Sequence, residues 1–237
     1  MTMIVRNLQA VRDRITTACV AAGRNPGGVK LLAVSKTFGL QAVTDAISGG
    51  QRAFGENYIA EGVDKILQTR AWQETQPVPY TLEWHCIGPV QSNKTRPVAE
   101  HFDWVQSVDR LKIAQRLSEQ RPVHLAPLQI CLQVNVDGGV NKSGVAPDDL
   151  MALVKQVIEL PNLRLRGLMT IPEPATDFIA ACAIHTCAKA LFDQINKAGL
   201  LAEPIDTLSM GMTADIEAAI ASGSTMVRVG TAIFGAR

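Results

Sequence analysis

Apolar residues recur at steps of three and four at the start of the chain. Ile4, Leu8, Val11, Ile15 and Ala18 share one face, which predicts an amphipathic helix. Gly23 and then Asn25-Pro26-Gly27-Gly28 stop it. The pattern then changes. Residues 31–35 (LLAVS) form a short continuous apolar run, as expected for a parallel strand buried on both faces. Residues 41–48 read as a helix closed by Gly49-Gly50, 52–55 as a second strand and 58–72 as a second helix, with a loop at 75–79. Strands are expected at 82–87, 104–108, 128–136, 163–171, 205–210 and 226–234. Between them stand helices near 93–101, 110–119, 147–159, 176–198 and 214–221. Asp109 is placed to cap the helix from 110, and Pro147 to open the one from 147.

Strands alternating with helices imply a parallel sheet. Eight such units exceed the five or six usual in open doubly wound sheets and favour closure. The expected fold is therefore α/β, a single (β/α)8 TIM barrel with an extra N-terminal helix, spanning residues 1–237 as one domain. The length of 237 residues suits it, since such barrels run to roughly 250.

Active sites of these barrels sit at the C-terminal ends of the strands. The polar residues expected there are Lys36, Asn57, His85, Asn135, Thr170, Ser209, Gly230 and Thr231. Lys36 directly follows LLAVS, so its stem leaves a buried strand. Desolvation there would lower its pKa and favour the neutral amine that Schiff-base chemistry requires; the alternative is a lysine that reaches out to solvent. The strings Ser209-Met210-Gly211-Met212-Thr213 and Val229-Gly230-Thr231 put small and hydroxyl residues where such barrels cradle phosphate. Ordinary turn chemistry would look the same. Arg228 sits inside an apolar run and needs a partner. That partner is either a ligand or a carboxylate such as Glu56, Glu83 or Asp109. His85, between Trp84 and Cys86, is either a ligand contact or a satisfied core histidine.

Composition narrows the classes. A formal net charge of +1, with no run of like charges, gives no nucleic-acid surface. No window approaches 18 uninterrupted apolar residues, and the N-terminal stretch carries charges every few residues, so neither a membrane span nor a signal peptide is expected. Five cysteines without C-x-x-C fit reduced thiols in the cytoplasm. Cys182, His185 and Cys187 lack metal-ligand spacing, and no metal is expected.

The strings LLAVSKT, FGENY-x-x-EG-x-x-K, EWH-x-IGP-x-QSNK, RLRGLM-x-IP, SMGM-x-x-D and GSTMVR-x-GTAIFGAR occur in that order over nearly the whole chain. In them the sequence resembles the YggS/PLP-homeostasis family. The resemblance implies pyridoxal 5′-phosphate (PLP) held on the barrel shared with the N-terminal domain of alanine racemase. It gives Lys36 the Schiff base, Asn57 a place near the ring, Ser209, Gly230 and Thr231 the phosphate, and Arg228 the pyridine nitrogen. His85, Met169, Gly211 and Thr213 complete the candidate contacts. Thr213 replaces a usual serine, Ala214 a common acidic residue, and the stretch Gly138-Gly139-Val140 departs before Lys142-Ser143-Gly144.

An arginine at the pyridine nitrogen leaves the ring a weaker electron sink than a carboxylate would. Racemases of this fold resemble this barrel plus a C-terminal β domain that supplies a tyrosine, whereas here strand eight lies at the end and the tyrosines are Tyr58 and Tyr80. The function expected is a monomeric PLP homeostasis protein that passes the cofactor to apo-enzymes. A low-activity amino-acid racemase and a cofactor-free Schiff-base aldolase are the alternatives.

Overall fold

The computed structural model describes residues 2–77, 80–139 and 143–235. Part of the loop expected at 75–79, together with Val140, Lys142 and Arg237, lies outside them. The leading helix α1 (Met3–Ala21) buries Leu8, Val11, Ile15 and Ala18, four of the five residues its spacing singled out. The strands are β1 (Lys30–Val34), β2 (Ala53–Glu56), β3 (Glu83–Cys86), β4 (Trp104–Val108), β5 (Leu128–Gln133), β6 (Leu163–Met169), β7 (Thr207–Ser209) and β8 (Met226–Val229). Helices α2 (Leu40–Ser48), α3 (Ile59–Glu74), α4 (Thr95–His101), α5 (Leu111–Gln120), α6 (Pro147–Val157), α7 (Phe178–Lys197) and α8 (Ile216–Ala221) separate them, and α9 (Thr231–Phe234) follows β8.

Every strand pairs in parallel with its neighbours, and β8 returns to β1 through Leu32 opposite Arg228 and Ala33 opposite Val229, closing the barrel. Alternation along each strand sorts the core into layers. Ala33, Phe54, Trp84, Cys86, Leu208, Val227 and Val229 join the large cluster under the helices. Leu32, Val34, Ala53, Ile87 and Met226 form a separate cluster inside the barrel. Trp104, Cys131 and Met169 form another. The cysteines are free thiols.

Two local expectations are corrected. Asp109 does not cap α5: the cap position is Arg110, whose backbone is extended, and the Asp109 carboxylate instead accepts from Arg110 Nη1 at 2.7 Å. The apolar run 226–234 is not one strand. Gly230, at φ −114° and ψ −76°, turns the chain out of β8 and into α9. An apolar run has the same composition in a buried strand and a buried helix, so periodicity could not divide it. Pro147 does open α6 at its first turn.

Helix α1 ties down the elements that follow β7 and β8. Arg14 makes a two-pronged ion pair with Glu217 of α8, at 2.6 and 2.7 Å, and donates to the Thr213 carbonyl at 2.7 Å. Asn7 Nδ2 donates to the Ile233 carbonyl of α9 at 2.9 Å. Helix α7 has 20 residues and is long and apolar enough to cross a membrane by length and composition. Here it lays Ala181, His185, Ala188, Phe192 and Ile195 inward as a layer of the barrel.

Candidate functional site

Leu32 and Val34 face the barrel interior, so the alternation of β1 carries Lys36 inward just past the strand's C-terminal end. Its side chain is half-buried, a milder burial than the sequence suggested. Among the described residues, the hydrogen bond it takes part in is at its carbonyl, from Thr37 Oγ1 at 2.6 Å, and no carboxylate meets its amine.

The chain on either side of Lys36 is held from α3. Ser35 Oγ donates to Glu56 Oε1 at 2.6 Å. Lys65 Nζ donates to the Ser35 carbonyl at 2.8 Å, to Glu56 Oε1 at 2.6 Å and to Glu61 Oε1 at 3.0 Å. Glu61 Oε1 in turn accepts the Thr37 amide. Thr37 sits at φ +67°, a region that a β-branched residue enters at a cost of about 1–3 kcal/mol, so its surroundings must hold it there. Burial raises the pKa of the Glu56 carboxyl, with Lys65 and the Ser35 hydroxyl opposing. Sequence reasoning gave Glu61 and Lys65 no role and considered Glu56 only as a partner for Arg228. The signal was present: Glu61 and Lys65 stand four apart on one helical face.

Arg228 is buried on the inner face of β8. None of the carboxylates considered as partners reaches it. Glu56 pairs with Lys65, Glu83 with Lys30 and Asp109 with Arg110. The guanidinium instead donates to the Ser209 carbonyl at 2.8 Å, to Ser209 Oγ at 2.9 Å and to the Thr170 carbonyl at 2.8 Å. Burial pulls its pKa down to about 10, with Asp215 opposing, so it remains protonated at neutral pH. Ser209 Oγ passes the chain on to Gln106 Oε1 at 2.7 Å, and Gln106 Nε2 bonds His85 Nδ1 at 3.0 Å. His85 is therefore two hydrogen bonds below Ser209, stacked on Trp104 with ring centres 5.0 Å apart. Met169 lies in the same interior layer.

The ends of β7 and β8 meet beside Lys36. The Arg228 amide donates to the Gly211 carbonyl at 3.0 Å. A Cβ on Gly230 would come within 3.2 Å of the Val34 carbonyl. Among the described residues, the α9 hydrogen bonds leave the amides of Thr231 and Ala232 without carbonyl acceptors, and the Thr231 side chain is exposed. Gly211, at φ +93°, would place a Cβ 2.4 Å from that of Ala219, so only glycine fits this turn. Asp215 fixes the same turn: it accepts the Met212 amide at 2.7 Å and bonds His185 Nε2 at 2.8 Å. Burial works against its charge, but these bonds outweigh it and its pKa is lowered. Thr213 offers its carbonyl to Arg14, which leaves its hydroxyl without a part in that anchor.

Among the described residues, buried Asn57 Oδ1 after β2, Asn135 Oδ1 after β5 and Thr170 Oγ1 after β6 lack partners. Buried polar groups are normally satisfied, and unsatisfied ones cost about 1–3 kcal/mol each. These atoms stand at the same end of the barrel as Lys36 and the first turn of α9.

Such groups suit a small anionic ligand. The chain belongs to the family described as alanine racemase, N-terminal domain, whose sequence profile matches residues 6–237. It is 54% identical over 237 residues to the pyridoxal phosphate homeostasis protein of Pseudomonas aeruginosa, covering 100% of this chain and 97% of the relative. The protein of the same name from Vibrio cholerae is 52% identical, with 100% and 98% covered. Among solved structures, PipY of Synechococcus elongatus with PLP bound superposes with a TM-score of 0.81 at 34% identity, covering 98% of this chain and 100% of that one.

Proposed function

We propose that this protein binds pyridoxal 5′-phosphate reversibly as a Schiff base on Lys36 and maintains the supply of the cofactor in the cytoplasm, passing it as a monomer to apo-enzymes. The observation that carries the reading is Arg228. It is a buried, protonated guanidinium whose contacts are a hydroxyl and two carbonyls, and it stands among three unpartnered polar atoms beside a lysine. A receptor of this kind fits PLP part by part. Lys36 offers an amine for an aldehyde. The amides of Thr231 and Ala232, with the Thr231 hydroxyl, suit a phosphate. Arg228 suits an unprotonated ring nitrogen, and Asn57 supplies a further polar contact at the rim.

When bound, PLP supplies a reactive aldehyde, and the chain's part is to hold and shield it. Ser209 and the Thr170 carbonyl fix the guanidinium, while Gly211 and Gly230 let the backbone come close to the phosphate. His85 and Met169 support this floor from within the barrel. The relatives match nearly end to end and are named for homeostasis, which supports a carrier over a catalyst.

The test is a visible absorption spectrum of the purified protein incubated with PLP, before and after borohydride, with peptide mapping of the reduced product. A band lost on reduction and a pyridoxyl label on Lys36 are expected. A label on another lysine, or no uptake, overturns the reading. Incubation with D- and L-amino acids and chiral analysis separates carrier from racemase: turnover at about 1–10³ per second would make the protein an enzyme.

A further inference from the structure

We infer that Glu61 and Lys65 of α3, working with Glu56 of β2, are positioning residues that set the reactivity of Lys36 by clamping its two sequence neighbours. This rests on the reading of Lys36 as the PLP anchor. Lys65 Nζ is the hub. Its three contacts reach Glu56, Glu61 and the Ser35 carbonyl, and its side chain is only 4% exposed. Glu56 is fully buried and also takes the Ser35 hydroxyl. Glu61 takes the Thr37 amide. The residues before and after Lys36 are thus both held by one charged cluster outside the strand barrel, while Lys36 itself is not bonded to it.

The cluster does not serve the fold alone. A buried ion pair is seldom more stabilising than apolar residues of like volume, so its retention calls for a reason. Thr37 supplies one. Its left-handed backbone turns the chain sharply after Lys36, and the Glu61 carboxylate holds the amide that this turn exposes. Released, the turn relaxes toward ordinary φ and the Lys36 stem swings with it. Gly62 fits the same purpose: a Cβ there would meet Phe102 at 2.7 Å and Glu56 at 3.1 Å, so α3 can approach β2 closely enough for Lys65 to reach Ser35.

The step affected is the condensation at Lys36. The amine nitrogen adds to the aldehyde carbon, a C=N bond forms, and the aldehyde oxygen leaves as water with the two amine hydrogens. Orientation of the amine sets its rate and equilibrium. The phosphate end is read onto the first turn of α9, to which no member of the clamp is bonded.

The experiment compares wild type, Glu61→Ala and Glu61→Gln, together with a Glu56→Gln, Lys65→Met double variant that removes the buried charges as a pair. Stopped-flow absorbance follows coupling to PLP, and calorimetry measures pyridoxine 5′-phosphate, which carries an alcohol and cannot couple. Glu61→Ala and the double variant are expected to couple tenfold or more slowly while binding pyridoxine 5′-phosphate within twofold of wild type. Glu61→Gln, which keeps an acceptor for the Thr37 amide, is expected to recover most of the rate. Coupling at the wild-type rate in both Glu61→Ala and the double variant overturns the clamp. Equal loss of coupling and of pyridoxine 5′-phosphate binding also overturns it, as a purely structural effect. A wild type that takes up neither compound overturns the PLP reading itself.

Discussion

Lys36 emerges half-buried from the end of β1, and its amine has no bond to the protein among the described residues. Removing the side chain therefore breaks no contact that the fold needs. Lys36→Ala is expected to lose the borohydride-sensitive band and the labelled peptide while its melting temperature stays within about 2 °C of wild type, since surface changes of this kind are worth roughly ±0.5 kcal/mol. Thr231 tests the other end of the ligand. Its exposed hydroxyl stands at the first turn of α9, beside amides with no carbonyl acceptor. Thr231→Val keeps the shape and deletes the hydroxyl, so PLP affinity should fall by about 1–3 kcal/mol, the range for a hydrogen bond to a charged group. Titration by calorimetry reads this directly, and an unchanged affinity would remove Thr231 from the phosphate site.

Elements were legible in the chain wherever periodicity and punctuation agreed. LLAVS, a run too short for a buried helix, read as a strand, and the leading helix announced its face through Leu8, Val11, Ile15 and Ala18. The division of 226–234 was not legible, because Gly230 changes the backbone without changing the apolar pattern. That division matters most to function, since it creates the first turn of α9. Strand ends alone brought Lys36, Asn57, Thr170 and Ser209 to one end of the barrel, but they also put His85 there, which instead lies inside, bonded to Gln106 and stacked on Trp104. Of the clamp, the Glu61–Lys65 spacing was readable but Glu56 was not, because Glu56 and Asn57 are consecutive and nothing in a four-residue strand says which one turns toward α3. Close strand packing was equally hidden. Gly167 of β6 lies so near β7 that a Cβ would fall 1.6 Å from the Thr207 carbonyl. Gly167→Ala should push β7 outward and destabilise the protein by about 1–3 kcal/mol or more, seen as a lowered urea midpoint. Gly28→Ala, where a Cβ meets nothing within 4 Å, is the matched control with little change.

At the scale of the whole molecule, one hydrogen-bonded chain runs through the barrel from its C-terminal mouth to its N-terminal one. Arg228 donates to Ser209, Ser209 to Gln106, and Gln106 to His85. His85 Nε2 lies 3.4 Å from Glu83 Oε2, and Lys30 meets the same carboxylate at 2.6 Å. Every donor points the same way, from a buried cation toward a carboxylate, and a neutral His85 with its proton on Nε2 completes the series. Burial keeps His85 neutral by holding its pKa below the usual 6.5, against the pull of Glu83. Glu83 is drawn down from 4.5 to about 2 by the His85 hydrogen bond, with burial opposing and Lys30 assisting. Both groups bind fewer protons folded than unfolded, so both make stability fall in acid. The His85 part begins below about pH 6.5, where the unfolded imidazole gains its proton first. The Glu83 part is fully present above 4.5 and is lost as pH falls toward 2. Glu83 is 37% exposed, so solvent screening reduces its share to about 1 kcal/mol at neutral pH. Urea midpoints for wild type should decline gently from pH 6.5 to 4.5 and more steeply below. Glu83→Gln should begin about 1 kcal/mol lower at pH 7 and fall less steeply below pH 4.5, where Asp215 still contributes. Parallel curves for the two proteins from pH 7 to 3 would mean that the chain's far end carries no electrostatic weight, and that Arg228 is held by Ser209 and Thr170 alone.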